Sequence, residues 1–336
     1  METVLFLAHT EAGGALGKTA LEALEAARSL GGTLVAGLLG DDVEGAADAI
    51  AGCGASRMLG VSGEAFAEAR YASDAAGAEA LCRAAGATIV IAPSTSRWAR
   101  VLPGVAHRLG GAVDTHATGI SAEGGISVTR WYYRQRMEGV LAREKRPWVV
   151  LVEAGSRPAW SGAAGRAAVE AVPVALPEMR TTVCGVRAPR TDEQTIRPDA
   201  ELLLVAGAGW TKKQADGKVR VEDAERLILG VLRAAKASLG GTKSLVDLSG
   251  EGQAVLKCMS HLNQVGQTGS TPRHAKGLST CCHGEEPHVV GWRFVNERRA
   301  VNLDPNCGWA RGKADVLYVA DAFPVMEKLQ GLLEGR

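Results

Sequence analysis

The 336-residue chain lacks several features that mark particular functions. It has no excess of charge, because 38 lysines and arginines meet 37 aspartates and glutamates for a net +1. There is thus no field of one sign to gather nucleic acid or draw the chain to an anionic membrane. No apolar run approaches the roughly 18 residues that a membrane helix needs, so no membrane insertion is expected. The opening METVLFLAHTEAGG joins an acidic second residue to a short apolar run. That is unlike a signal peptide, and the expectation is a cytoplasmic protein. Seven cysteines, at 53, 82, 184, 258, 281, 282 and 307, include no CxxC pair. This argues against a disulfide framework and against an iron–sulfur cluster. Aromatic residues make up only 4% of the chain while glycine numbers 42, which suits close helix–sheet packing. There is no low-complexity tail and no short repeat.

What is present is an alternation of two periods. TVLFLAH is a continuous apolar run of the kind found in buried parallel strands. GKTALEALEAARSLGG follows it, with Ala20, Leu24 and Ala27 on one helical face. TLVAGLLG, RMLGVS and ATIVIAPS repeat the strand signal, separated by helical stretches such as FAEARYASDAAGAEALCRAAG. GGISVTRWYYRQRMEGVLAREKRPWVVLVEAG reads as antiparallel strands at the sheet edge. Trp131 to Tyr133, between Arg130 and Arg134, then form an aromatic strand face rather than a base-stacking surface.

Residues 176–200 are polar, carry three prolines and show no periodicity, as expected of a linker. The predicted organisation is a domain over 1–185, a linker over 186–200 and a second domain over 201–336. In the second, AELLLVAGAGW reads as a strand running into a glycine turn and VEDAERLILGVLRAAKASLGG as a helix. KSLVDL, RAVNLDP and ADVLYVAD read as strands, and FPVMEKLQGLLEG as a closing helix. The fold class is α/β with two tandem domains. The first is an N-terminal parallel-sheet, nucleotide-binding-like domain, and the second is a doubly wound C-terminal one.

The stretch NQVGQTGSTPRHAKGLSTCCHGEEPH, 263–288, concentrates candidate chemistry. In QVGQTG, Gly266 and Gly269 permit positive φ and close backbone approach, and Gln267 and Thr268 add polar groups. The loop is either a cofactor cradle or an ordinary turn. Gly207–Gly209 ends a strand where α/β sheets bind nucleotides, and is equally consistent with a plain turn. Cys281, Cys282 and His283 invite a metal reading. However, adjacent cysteines rarely chelate one ion, and His274, His283 and His288 lack the i, i+4 spacing, so no metal site is expected.

Taken with the segments beyond it, QVGQTG resembles the α subunit of electron-transfer flavoproteins, the FixB family. AVNLDP (300–305) resembles the family's VAINKDP, ADVLYVAD (314–321) its ADYGLVGD, SLGGTKSLVD (238–247) its GASRAAVD and VAGAGW (205–210) its GGRG turn. The first-half strands and helices also follow the family's pattern, so the resemblance spans essentially the whole chain. It implies an N-terminal domain that packs on a β subunit and a C-terminal domain that binds FAD. The cofactor contacts it implies are Ala208, Thr242, Lys243, Val265, Gly266, Gln267, Thr268, His283, Gly284, His288, Asn302 and Asp321. Among these, Val265 to Thr268 would flank the isoalloxazine ring, His288 would face it, and Asn302 and Asp321 would lie toward the adenosine. Ala208 stands where the family has an arginine, and Lys243 where it has another. Glu285, Glu286 and Pro287 replace part of a buried apolar run.

The function this implies is a redox carrier subunit rather than a stand-alone enzyme. It would be paired with an electron-transfer flavoprotein β subunit and would pass electrons from a partner dehydrogenase to a downstream acceptor. The alternatives are a fixed, flavin-poor subunit of a multi-subunit dehydrogenase or demethylase, and a non-redox nucleotide-binding module.

Overall fold

The structure is a computed structural model that describes all residues except 1, 12, 133–136, 186–195, 198, 248–254, 267–270, 282–293, 308–309, 312 and 336. The chain divides into two compact units, Met1–Val186 and Arg187–Arg336.

The first unit is built on a nine-stranded sheet in the order β7-β6-β5-β8-β4-β1-β2-β3-β9. β1 (Thr3–His9) pairs in parallel with β2 (Thr33–Gly40), which pairs with β3 (Arg57–Ser62). On its other side β1 takes β4 (Ile89–Pro93), and β4 takes β8 (Trp148–Val152). The period-2 alternation of strand side chains divides the core between the two sheet faces. Val4, Phe6 and Ala8 pack with α1 (Lys18–Ser29) and α2 (Glu44–Ala49). Leu5 and Leu7 pack with α3 (Tyr71–Ala85) and α4 (Ser96–Arg108).

β5 (Ala112–Ser121) runs parallel to β8, and β6 (Ser127–Tyr132) and β7 (Met137–Leu141) extend that edge antiparallel. WVVLV corrects the sequence reading. It is not part of the antiparallel edge but a fully buried parallel strand between β5 and β4. Its unbroken apolar run is the mark of a strand covered on both faces. β9 (Val169–Ala171) closes the opposite edge beside β3, and nothing in the sequence pattern had marked it.

Two ionic clusters, each around a buried aspartate, pin this unit. Arg97 donates from Nε and Nη2 to the Asp74 carboxylate at 2.9 and 2.6 Å, and from Nη2 to the Phe66 carbonyl. Both side chains are buried. Asp114 accepts from Arg143 (2.9 and 3.0 Å), the Trp148 indole N–H (3.0 Å) and Arg130 (3.3 Å), joining β5, β6 and β8. Burial works to raise the Asp114 pKa, but the donors led by Arg143 and Trp148 outweigh it and hold the carboxyl below its ordinary value.

The second unit carries a five-stranded, all-parallel sheet in the order β11-β10-β12-β13-β14. Its strands are β10 (Leu202–Ala206), β11 (Ser238–Gly241), β12 (His274–Thr280), β13 (Val295–Asn302) and β14 (Val316–Val319). α5 (Val221–Ala235) and α7 (Ala322–Leu333) cover one face, with Leu204, Ala224, Ile228, Val231 and Met326 in the core between them. Both units are α/β, as the alternating periods imply.

Three local expectations are corrected here. The predicted helix over 221–241 stops at Ala235, where Lys236 turns left-handed at φ 50°, and Ser238–Gly241 is strand β11. KSLVDL is not a strand, because Lys243–Asp247 forms the short helix α6. Its adjacent apolar pair, Leu245 and Val246, suits either structure by pattern alone. HAKGLST, within the stretch that concentrates candidate chemistry and carrying no strand signal, is the central strand β12.

Arg97→Met leaves Asp74 as a buried, uncompensated charge. It is expected to lower unfolding free energy by about 3–5 kcal/mol, measured by denaturant titration. For Asp114 the folded pKa lies below the unfolded one, so its contribution is complete above about pH 4 and is lost as pH falls through that range. Asp114→Asn is expected to flatten this acid dependence in thermal melts between about pH 2 and 5.

Candidate functional site

The second unit has the strand order 2-1-3-4-5, counted along its own chain, so the direction of winding reverses between β10 and β12. Ligands of open parallel sheets bind at such a switch point, outside the carboxyl ends of the strands. Every sequence-predicted site residue that the structure describes lies on that edge. Ala208 follows β10, Thr242 and Lys243 follow β11, Asn302 ends β13, and Asp321 follows β14. Val265 and Gly266 reach the same edge, since Val265 N donates to Gly241 O at 3.0 Å and Gln264 bridges Gly241.

The turn after β10 is tied across the switch point. Gly207 N donates to Thr280 O and Gly209 N to Cys281 O, each at 2.9 Å. A Cβ on Gly209 would sit 2.7 Å from Cys281 O, so only glycine permits this approach. Trp210, fully buried, donates its indole N–H to Thr280 Oγ1 at 2.9 Å and meets Phe323 edge-on at 4.7 Å. The GAG turn is therefore a fixed corner whose indole anchor lies one residue beyond the motif. The glycine pair of β11 has a similar cause, because the returning Met259 and Val265 side chains occupy the space that a Cβ at Gly241 or Gly240 would need.

Several of the predicted side chains are engaged locally. Thr242 Oγ1 accepts from Leu245 N at 3.4 Å at the head of α6. Asp321 Oδ1 accepts from Phe323 N at 3.0 Å and caps α7. Asn302 is buried, and its Oδ1 accepts from Asp304 N. Gly266 adopts φ 85° and donates its N–H to Thr271 Oγ1 at 2.7 Å. Lys243 is exposed. Gln267, Thr268, His283, Gly284 and His288 lie outside the described residues, as do Cys282, Glu285, Glu286 and Pro287.

Cys281 is half-buried in a left-handed turn at φ 55°, and burial followed by the nearby Asp321 carboxylate pushes its thiol strongly up. It is thus a poor thiolate for catalysis or metal binding. His274 is buried with its ring nitrogens 3.0 and 2.9 Å from the carbonyls of Pro272 and Arg197. Among the described residues no group of three metal-ligating side chains comes together.

The sequence reading passed over Lys212 and Lys213. Both are exposed just beyond the GAG corner, and their only signal was two adjacent lysines after a strand-ending glycine turn.

The first unit has a switch point of its own, between β1 and β4, but its polar groups are spent internally. His9 lies 3.2 Å from both Thr10 O and Thr95 Oγ1, and burial lowers its pKa. The Glu11 carboxylate fills the space beside Gly17 at the head of α1, where an anion would sit. The candidate site is therefore the edge of the second unit. Among the described residues, no helix is long and apolar enough to cross a membrane.

A comparison with curated proteins finds no match. A family model described as the electron transfer flavoprotein domain matches residues 4–177, more than half of the chain and wholly within the first unit. All of strands β1 to β9 except Thr3 falls inside that span, so the domain match and the nine-stranded sheet coincide, and the chain belongs to the electron transfer flavoprotein family.

Proposed function

We propose that the chain is the α subunit of an electron transfer flavoprotein, of the FixB type. It binds FAD at the carboxyl edge of its second unit and relays electrons from a dehydrogenase to a downstream acceptor in the cytoplasm. One observation carries this reading. The family domain is followed by a doubly wound parallel sheet, and the strand ends of that sheet gather Ala208, Thr242, Lys243, Val265, Gly266, Asn302 and Asp321 on one edge.

The residues present suit such a cofactor. A glycine corner with no side chain at 207 and 209 allows close backbone approach, and exposed lysines at 212 and 213 suit an anionic diphosphate. When bound, the flavin supplies reversible one- and two-electron chemistry. The chain's part is to hold and orient it. In this reading Lys243 places a positive charge toward the ring, and the loop from Val265 through Gln267 and Thr268 flanks it. His288 faces the ring, with His283 and Gly284 in the same cradle.

The same reading gives the first unit, proposed as the domain over 1–185 with a linker over 186–200, to a β subunit. The antiparallel edge supports this. β7 exposes Met137 at 57% and Val140 at 70%, and beside it Trp131 and Tyr132 are half-buried. Apolar side chains on an unpaired edge strand are an association surface.

Two outcomes test the proposal. The chain expressed alone is expected to self-associate in size-exclusion chromatography, and Val140→Lys is expected to reduce both that and capture of the β subunit. The co-expressed complex is expected to show flavin absorbance near one equivalent, and Lys243→Met to make the flavin's reduction potential more negative. Loss of a cation disfavours the more negative reduced form, which sets this direction. A complex that holds no flavin with FAD in excess contradicts the carrier reading. It would make the chain a fixed, flavin-poor subunit of a larger dehydrogenase or demethylase.

A further inference from the structure

The loop that leaves the GAG corner is held rigidly. Thr211 Oγ1 donates to Ala208 O at 3.0 Å, and the Gln214 amide donates to Gly209 O at 3.1 Å and Lys212 O at 2.8 Å. Gln214 N and Gly217 N close the next turn through Lys218 O and Gln214 O, at 2.9 and 2.8 Å. The loop's carboxylate, Asp216, is matched by Arg220 and also accepts from Lys218 N. Two charges are left over. Lys212 and Lys213 are exposed, and neither ammonium group has an ion-pair or hydrogen-bond partner among the described residues. A pair of uncompensated cations on a clamped loop, beside the switch point of a parallel sheet, is organised for an anion.

We infer that Lys212 and Lys213 bind the diphosphate of the dinucleotide, supplying positive charge that Ala208 cannot. The inference rests on the flavin reading above for the identity of the dinucleotide. Ala208 is buried at 3% exposure and its carbonyl is taken by Thr211, so position 208 offers neither charge nor a free acceptor. Charge on this rim must come from the residues that follow. Asp321, on the same edge, caps α7 by accepting from Phe323 N.

The test uses the full chain and measures binding of ADP, FAD and riboflavin by equilibrium dialysis, with ADP as the probe for the diphosphate. Lys212→Gln/Lys213→Gln is expected to weaken ADP by about tenfold, the low end for losing charged hydrogen bonds. It should also reduce the salt sensitivity of ADP binding and leave riboflavin unchanged. Lys212→Arg/Lys213→Arg, which keeps both charges, is expected to bind ADP within about twofold of the parent. Both sites are exposed, so thermal melts of the variants should match the parent.

Equal ADP binding by the parent and the double glutamine variant overturns the inference, and the flavin reading stands if the parent still takes FAD. If that variant keeps ADP and FAD but loses only electron transfer with an acidic redox partner, the lysines form a protein-docking surface and the inference is again overturned. A parent that binds ADP through the two lysines but refuses FAD supports the diphosphate site and removes the flavin reading. A parent that binds neither overturns both.

Discussion

The pair of backbone hydrogen bonds from Gly207 and Gly209 to the end of β12 is the constraint on which the candidate site depends. These bonds close the switch point of the second sheet over Thr280 and Cys281 and fix where the chain leaves β10. Trp210 locks the corner from beneath, with its indole N–H on Thr280 and its ring against Phe323 of α7. A single buried indole thereby couples the β10 turn, the central strand and the closing helix. The place where Lys212 and Lys213 leave the sheet follows from that corner.

The two units use the same architecture differently. In the first, the carboxyl edge at the switch point is self-satisfied: His9 is engaged, Arg97 and Asp74 neutralise each other in the interior, and Glu11 lies at the head of α1. A buried pair of this kind adds little net stability but fixes which elements meet. In the second unit the corresponding edge keeps exposed cations and a glycine corner. The proposed function assigns the first unit, with its apolar antiparallel edge, to packing and the second to an anionic ligand.

Much of the fold was legible in the sequence because parallel strands buried on both faces leave continuous apolar runs, as TVLFLAH and TLVAGLLG do. The same rule identifies WVVLV as central, yet its neighbours drew it into an antiparallel reading. β12 was hidden for the opposite reason. HAKGLST is polar, and it is buried because His274 and Thr280 find internal hydrogen-bond partners and Gly277 makes room for Val295. A strand stabilised by satisfied polar groups has no hydrophobic signature. At the site, the glycine corner was visible as a motif, but its anchor Trp210 and the clamped lysines required the third dimension. The turn residues Thr242 and Asp321 show why spacing alone is ambiguous, since each also caps a helix.

Amide hydrogen exchange of the full chain, in complex with the proposed β subunit and with and without FAD, tests the account most directly. The account predicts that FAD slows exchange in peptides covering 207–213, 241–246, 264–268 and 318–323, all on the carboxyl edge of the second sheet. Slowing confined to residues 4–177, with the second unit unchanged, would contradict it.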